Sequence, residues 1–155
     1  TSCRRRSFII FNSIFFVLIH TCITFACMFR NILLVALGGA AGSVARYLLS
    51  KAVQGAAASS FPWGTMAVNV AGCLLIGLFY GLSEGSAARF GQDLKLMLTV
   101  GFCGGFTTFS TFANESLALA KAGDALLSAA YIGSSVALGM LAVVAGAQLA
   151  KAFAG

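Results

Sequence analysis

The sequence predicts an all-α integral membrane protein. Apolar residues make up 59% of its 155 residues and charged residues only 9%. Uncharged stretches of about 20 residues, the length of helix that crosses the hydrocarbon core of a bilayer, recur along the chain. Water would not tolerate so apolar a surface, so the composition excludes a soluble enzyme.

Four segments after residue 31 have the length and composition of spanning helices. Pro62 precedes the second segment, where the missing N–H of proline costs no helical hydrogen bond. Asp124 precedes the fourth segment and is a candidate N-cap. Short loops, including a polar one at 84–93, join the segments. The four predicted spans are 32–49, 65–82, 94–120 and 125–150.

Residues 1–27 differ in composition from the rest, because they are rich in Phe and Ile and contain almost no Gly or Ala. A basic cluster and an apolar run resemble the start of a secretory signal, but no small-residue cleavage site follows. Met28 is a natural first residue for the protein. We therefore expect 28–155 to be the working domain and 1–27 a mis-assigned or non-essential extension. A fifth spanning helix is the alternative.

From Met28 onward, Lys and Arg residues are almost evenly divided between the two sides of the four predicted spans. Membrane orientation follows the Lys and Arg bias of the loops. A near-equal division therefore predicts insertion in both orientations and an antiparallel homodimer, with a weakly biased monomer as the alternative. Arg30, Arg89, Lys95 and Lys151 lie on one side, and Arg46, Lys51 and Lys121 on the other.

The net charge of +6 does not indicate a nucleic-acid-binding protein, because most basic residues stand singly between apolar runs. The five cysteines form no CxxC pair, and His20 is the only histidine. We expect plain thiols and no metal cluster of Cys and His. With no base and nucleophile in reach of each other, no enzyme is predicted.

Glycines recur at a spacing that lets helix backbones approach closely in lipid. The GxxxG pairs are Gly38 and Gly42, Gly77 and Gly81, and Gly101 and Gly105, and Ser135 and Gly139 make a related pair. Glycine-rich composition alone is the alternative explanation. Both readings predict tight helix packing.

The third segment contains adjacent glycines, Gly104 and Gly105, followed by several hydroxyl side chains. Glycine weakens a helix, and Ser and Thr can bond to freed backbone groups. We expect a broken helix, whose exposed backbone at membrane depth typically builds an ion site. A simple glycine kink is the alternative.

Two phenylalanines and an asparagine are candidate contacts for an anion. Phe109 and Phe112 are three residues apart on one helix face, and the positive edge of an aromatic ring can face an anion. Asn69 is the only amide or charged residue in the second segment, and its NH₂ can donate two hydrogen bonds. Lipid-facing rings and an interhelical hydrogen bond from Asn69 are the alternatives.

Three motifs in order resemble the CrcB/Fluc family of fluoride channels, over residues 30–146. They are GGAAGSVARY at 38–47, GTMAVNVAG at 64–72 and GFCGGFTTFSTFANE at 101–115. The third motif is the most specific. Residues 1–27 have no counterpart in the family.

The resemblance implies a four-helix subunit that pairs antiparallel with an identical one and encloses two fluoride pores in the bacterial inner membrane. Such a channel exports fluoride passively from the cytoplasm and lowers its toxicity. The family's pore positions match Asn69, Phe109, Phe112, Ser110, Thr111, Glu115, Tyr131 and Ser135. Backbone carbonyls of Gly104 and Thr107 match those that hold a structural Na⁺ at the dimer centre, and Arg46 matches a structural or vestibular arginine.

Two other functional classes remain open at the level of residues. A proton-coupled multidrug or cation transporter needs a titratable group deep in a helix. The first, second and fourth segments contain no Asp or Glu, and Glu115 lies toward one end of the third. A non-catalytic assembly protein would explain the glycines but would not require the polar and aromatic set around Asn69 and Phe109.

Overall fold

The computed structural model describes residues 2–57, 59–83 and 91–154, with side chains described for 24–57, 59–83 and 91–153. Within these ranges the chain is helical apart from short connections. The polar loop predicted at 84–93 falls mostly outside the described residues. The predictions for His20 and for the side chains of the basic cluster near the N-terminus also fall outside them.

Helices account for every predicted span. Helix α1 comprises Ser2–Ala57, α2 Trp63–Ser83, α3 Gln92–Leu96, α4 Gly104–Phe106, α5 Phe109–Lys121 and α6 Ala125–Ala154, and a π-helical stretch, Met97–Cys103, joins α3 to α4. Among the described residues, four stretches are long and apolar enough to cross a membrane: Thr24–Ala57, Trp63–Ser83, Gln92–Lys121 and Ala125–Phe153. The prediction of an all-helical, multi-pass membrane protein is confirmed.

The chain divides into two compact units, Thr1–Leu33 and Leu34–Gly155. The first unit is helical from Ser2, and the side chains of residues 24–30 are exposed. The second unit contains all the residues that the sequence predicts for the site. Helix α1 extends beyond both bounds of the predicted first span, 32–49.

Close helix packing within the second unit depends on glycine. A methyl group on Gly42 would collide with the backbone oxygen of Phe102, and one on Gly105 would collide with the backbone oxygen of Gly39. Between α2 and α6, a methyl group on Gly77 would meet the backbone of Val143. The glycine spacing therefore predicted correctly where helix backbones touch.

Two extended residues lie between α4 and α5. Thr107 has φ −81° and ψ 158°, and Thr108 has φ −147° and ψ 109°. Gly104 and Gly105, which the sequence marks as the weak point, are themselves helical. The π-helical turns just before them have the wider hydrogen-bonding pattern that often accompanies functional sites in helices.

Candidate functional site

Asn69 of α2 binds the backbone of the extended pair. Its Oδ1 accepts a hydrogen bond from the amide of Thr108 at 2.8 Å, and its Nδ2 donates to the Thr108 carbonyl at 3.1 Å. One amide side chain thus satisfies both backbone polar groups of a residue that has left helical geometry. The interhelical hydrogen bond considered for Asn69 is present, and one Nδ2 hydrogen remains for another acceptor.

The same arrangement releases two backbone carbonyls. In a continuous helix the amide of Thr108 would donate to the carbonyl of Gly104, and the amide of Thr111 to that of Thr107. The Thr108 amide donates instead to Asn69, and the Thr111 amide donates to Oγ1 of Thr108 at 3.3 Å. The carbonyl oxygens of Gly104 and Thr107 are therefore free of these helical donors.

An open groove of about 450 Å³ lies beside Asn69. Its lining contains no Lys, Arg, Asp or Glu. Six residues singled out from the sequence meet there, contributed by α2, α4, α5, α6 and the extended pair: Asn69, Gly104, Thr107, Phe109, Phe112 and Ser135. The groove is therefore an uncharged surface of aromatic rings, an amide and hydroxyls.

Aromatic rings follow one another along α5 and into α6. The ring centroids of Phe109 and Phe112 are 5.9 Å apart, and those of Phe112 and Tyr131 are 5.1 Å apart. Phe109 is 80% exposed, whereas Tyr131 is fully buried. The rings thus run from an exposed edge of the subunit into its interior.

Glu115 accepts hydrogen bonds from two other helices. Thr65 of α2 donates through Oγ1 to Glu115 Oε1 at 2.8 Å, and Tyr131 of α6 donates through its hydroxyl to Oε2 at 2.9 Å. Each carboxylate oxygen thus has a hydroxyl donor, which is the favourable arrangement for a half-buried carboxylate. Glu115 therefore ties α2, α5 and α6 together next to the rings.

The remaining hydroxyl candidates differ in their surroundings. Oγ of Ser135 is buried and has no hydrogen-bond partner among the described residues. Thr111 shares a 2.9 Å hydrogen bond with Oγ1 of Thr108. Ser110 is exposed. Ser135 is thus the hydroxyl that still needs a partner.

A second groove, of about 600 Å³, is lined by Thr108 of the extended pair. Its lining includes the cationic side chains of Arg46 and Lys51 beside polar ones. The residues are Ser43, Arg46, Tyr47, Ser50, Lys51, Gln54, Gly55, Thr65, Val68, Thr108 and Thr111. Arg46, predicted as structural or vestibular, lies in this polar groove and not among the rings.

Sequence reasoning missed two members of the site. Thr65 was used only to mark the start of the second span, although it precedes Asn69 by four residues and so shares its helix face. Phe61 was not singled out, but its ring packs edge-on against Tyr131, with centroids 5.4 Å apart. The i, i+4 spacing could have identified Thr65, whereas Phe61 required the fold.

The described cysteines carry no disulfide: Cys27 is exposed, Cys103 is buried and Cys73 lies between these extremes. Cys73 and Cys103 both line the first groove. Within the described part of the chain, no three His, Cys, Asp or Glu side chains are placed to hold a metal ion.

Comparison with known proteins covers the whole of this site. The model of the family described as CrcB-like protein, Camphor Resistance (CrcB), matches residues 33–147. A protein of Phocaeicola vulgatus named Fluoride-specific ion channel FluC is 50% identical over 122 residues, 79% of this chain and 99% of the relative. Relatives with the same name from Rhizobium etli and Flavobacterium psychrophilum are 46% and 43% identical, covering 78% and 79% of this chain and 96% and 98% of their own lengths.

Proposed function

The chain belongs to the CrcB-like protein family, and from this premise we propose that it is a fluoride-selective ion channel. It exports fluoride passively from the cytoplasm and so lowers fluoride toxicity. The observation that carries the proposal is the name shared by relatives 43–50% identical to the chain, fluoride-specific ion channel.

The uncharged groove supports conduction of a small, strongly hydrated anion. An anion that leaves water needs hydrogen-bond donors and positive ring edges, and Asn69, Ser135, Phe109 and Phe112 offer both. A fixed cation in the groove would bind the anion tightly and slow its exit. The cationic side chains lie instead in the second groove, where they can attract anions without holding them in the path.

We assign the fluoride path to the residues of the first groove, Asn69, Ser135, Phe109 and Phe112, and to the polar side chains next to them. Ser110, Thr111 and Glu115 follow the rings along α5, and Tyr131 joins them from α6 through its bond to Glu115. The extended pair at Thr107 and Thr108 makes Gln92–Lys121 one interrupted membrane crossing in this proposal. The interruption exposes the backbone beside the groove instead of to lipid.

The functional unit in this proposal is an antiparallel homodimer of subunits inserted in both orientations in the bacterial inner membrane. A single subunit leaves Phe109 80% exposed and the first groove open along one side. A second copy seated over this edge would cover the ring and turn the groove into an enclosed path. The nearly even division of Lys and Arg between the two sides fits dual insertion.

The released carbonyls fit a structural Na⁺. A hard monovalent cation prefers oxygen ligands, and the carbonyl oxygens of Gly104 and Thr107 have lost their helical donors to Asn69 and Thr108. Gly104 is exposed, and a methyl group on it would meet nothing within 4 Å, so the approach to its backbone is open. Na⁺ held there would supply positive field beside the groove that Gly104 and Thr107 help to line.

The test is ion release from liposomes that contain the purified protein. Vesicles loaded with potassium fluoride are followed with a fluoride electrode, and potassium chloride vesicles are followed with a chloride electrode. Rapid fluoride release without matching chloride release is expected, with valinomycin present to carry the balancing K⁺. Release no faster than from protein-free vesicles, equal chloride release, or release that requires an imposed proton gradient would overturn the proposal.

A further inference from the structure

Gln54 of α1 fastens the connection between α1 and α2. Its Nε2 donates to the carbonyls of Ser59 at 2.8 Å and Phe61 at 3.1 Å. Its Oε1 accepts from the amide of Gly64 at 3.1 Å. Three hydrogen bonds from one half-buried amide therefore fix both ends of the connecting segment against the end of α1.

Close contact between α1 and the start of α2 makes this attachment stiff. A methyl group on Gly64 would lie 2.6 Å from the carbonyl oxygen of Ser50. Ser59 adds a further bond within the segment, since its hydroxyl accepts from the amide of Phe61 at 3.0 Å. The backbone on both sides of the Phe61 side chain is thus held in place.

The ring of Phe61, held by this segment, packs against the ring of Tyr131. The two rings are nearly perpendicular, at 81°, with centroids 5.4 Å apart, and Trp63 flanks Phe61 with its centroid at 4.5 Å. An edge-on aromatic pair favours one mutual orientation. Because Tyr131 is fully buried, its ring can turn only if its neighbours move.

Tyr131 in turn contacts two residues of the assigned fluoride path. Its ring lies 5.1 Å from that of Phe112, and its hydroxyl bonds to Glu115. Phe61 does not line either groove, and Gln54 lines only the second one. Tyr131 therefore connects the segment that carries Phe61 to Phe112.

We propose that Gln54 and Phe61 are positioning residues for conduction: the fastened segment holds Phe61 against Tyr131, and Tyr131 sets the orientation of Phe112 and Glu115. The functional part of this inference rests on the proposed fluoride channel. Its structural part is the control of the Tyr131 ring orientation by Phe61 and Gln54. That part does not depend on which ion the protein conducts.

The experiment compares paired variants in two measurements. Phe61→Leu removes the ring edge, Phe61→Tyr keeps it, and Phe29→Leu is the control at an exposed ring. Gln54→Leu removes the amide, and Gln148→Leu is its matched control at an exposed position of α6. One measurement is the initial fluoride efflux per incorporated protein. The other is the ¹⁹F spectrum of protein carrying 3-fluorotyrosine at its three tyrosines, with Tyr131 identified by its loss in Tyr131→Phe.

Phe61→Leu and Gln54→Leu are expected to shift the Tyr131 resonance while leaving those of Tyr47 and Tyr80 in place. Both variants are also expected to lower fluoride efflux by about two- to tenfold, which is the energy of an edge-on aromatic pair converted to a ratio of rates. Both controls should keep efflux and the Tyr131 resonance close to those of the unmodified protein. Phe61→Tyr, which adds a fourth tyrosine to the spectrum, is compared by efflux alone and should keep it.

An unchanged Tyr131 resonance in Phe61→Leu and Gln54→Leu would overturn the inference, whether or not the protein conducts fluoride. A shifted resonance with unchanged efflux in a conducting protein would overturn the link from Tyr131 to Phe112. Failure of the unmodified protein to release fluoride would instead contradict the proposed function, with the spectrum still deciding whether Phe61 positions Tyr131.

Discussion

The side-chain amide of Asn69 pairs with both backbone polar groups of Thr108, as acceptor at 2.8 Å and donor at 3.1 Å. This single contact joins α2 to the extended residues between α4 and α5. It diverts the Thr108 amide from Gly104 and so frees a carbonyl oxygen. It also brings Asn69 to the groove that Phe109 and Phe112 line. The pairing of Asn69 with Thr108 thus accounts both for the extended backbone at Thr108 and for the position of Asn69 at the groove.

Asn69→Asp is expected to damage both stability and conduction. A carboxylate cannot donate to the Thr108 carbonyl, which leaves a half-buried acceptor without its donor at a cost of about 1 kcal/mol in the free energy of unfolding. It also places a negative charge on the fluoride path. Asn114→Asp, at an exposed position of α5, is the control. Thermal melting in detergent followed by size-exclusion chromatography, together with liposome efflux, measures both effects. Melting and efflux unchanged from the unmodified protein would refute the role of the pair.

Phe112→Ile is expected to lower fluoride efflux by about tenfold, because it removes a ring that lines the groove and packs against Tyr131. The apolar volume is largely kept, so the protein should still fold. Phe102→Ile is the comparison, since Phe102 stacks on Phe106 and does not line the groove. The account is wrong at this residue if both variants release fluoride at the same rate.

Gly42→Ala and Gly133→Ala should have opposite effects on stability. A methyl group at Gly42 would meet the backbone of Phe102, and forcing the helices apart costs about 1–3 kcal/mol. Gly133 has nothing within 4 Å of the added methyl group, so the higher helix propensity of Ala should favour this variant by about 1 kcal/mol. Melting temperatures in detergent decide the matter, and equal destabilisation by both substitutions would contradict the packing described for Gly42.

Replacing Na⁺ by N-methyl-D-glucamine is expected to lower the melting temperature of the purified protein. The bulky organic cation cannot reach carbonyls such as those of Gly104 and Thr107, so stabilisation by a bound ion would be lost. Titration with Na⁺ should then restore the melting temperature in a saturable way. A melting temperature indifferent to Na⁺ would count against a structural sodium at these carbonyls.

Patterns local in sequence predicted much of the molecule. Apolar length identified the four spans, and the GxxxG spacing marked Gly42 as a point of close helix approach. Three-residue spacing placed Phe109 and Phe112 side by side. Each of these follows from the geometry of a single helix, which residue spacing determines.

Contacts between distant parts of the chain could not be predicted in this way. Glycine propensity indicates Gly104 and Gly105, but the extended residues are Thr107 and Thr108, because Asn69 of another helix competes for the Thr108 backbone. The bond from Thr65 to Glu115 spans 50 residues of sequence, and the contact of Phe61 with Tyr131 spans 70. No local propensity encodes such pairs.

Reversal potential in a planar bilayer tests the central claim most directly. The purified protein separates potassium fluoride at unequal concentrations, with potassium chloride added to the dilute side so that K⁺ and total anion are equal on both sides. A passive fluoride-selective path then predicts current that reverses near the fluoride equilibrium potential, without any proton gradient. A reversal near zero millivolts, where fluoride and chloride would pass equally, or a membrane that carries no current above background, would contradict it.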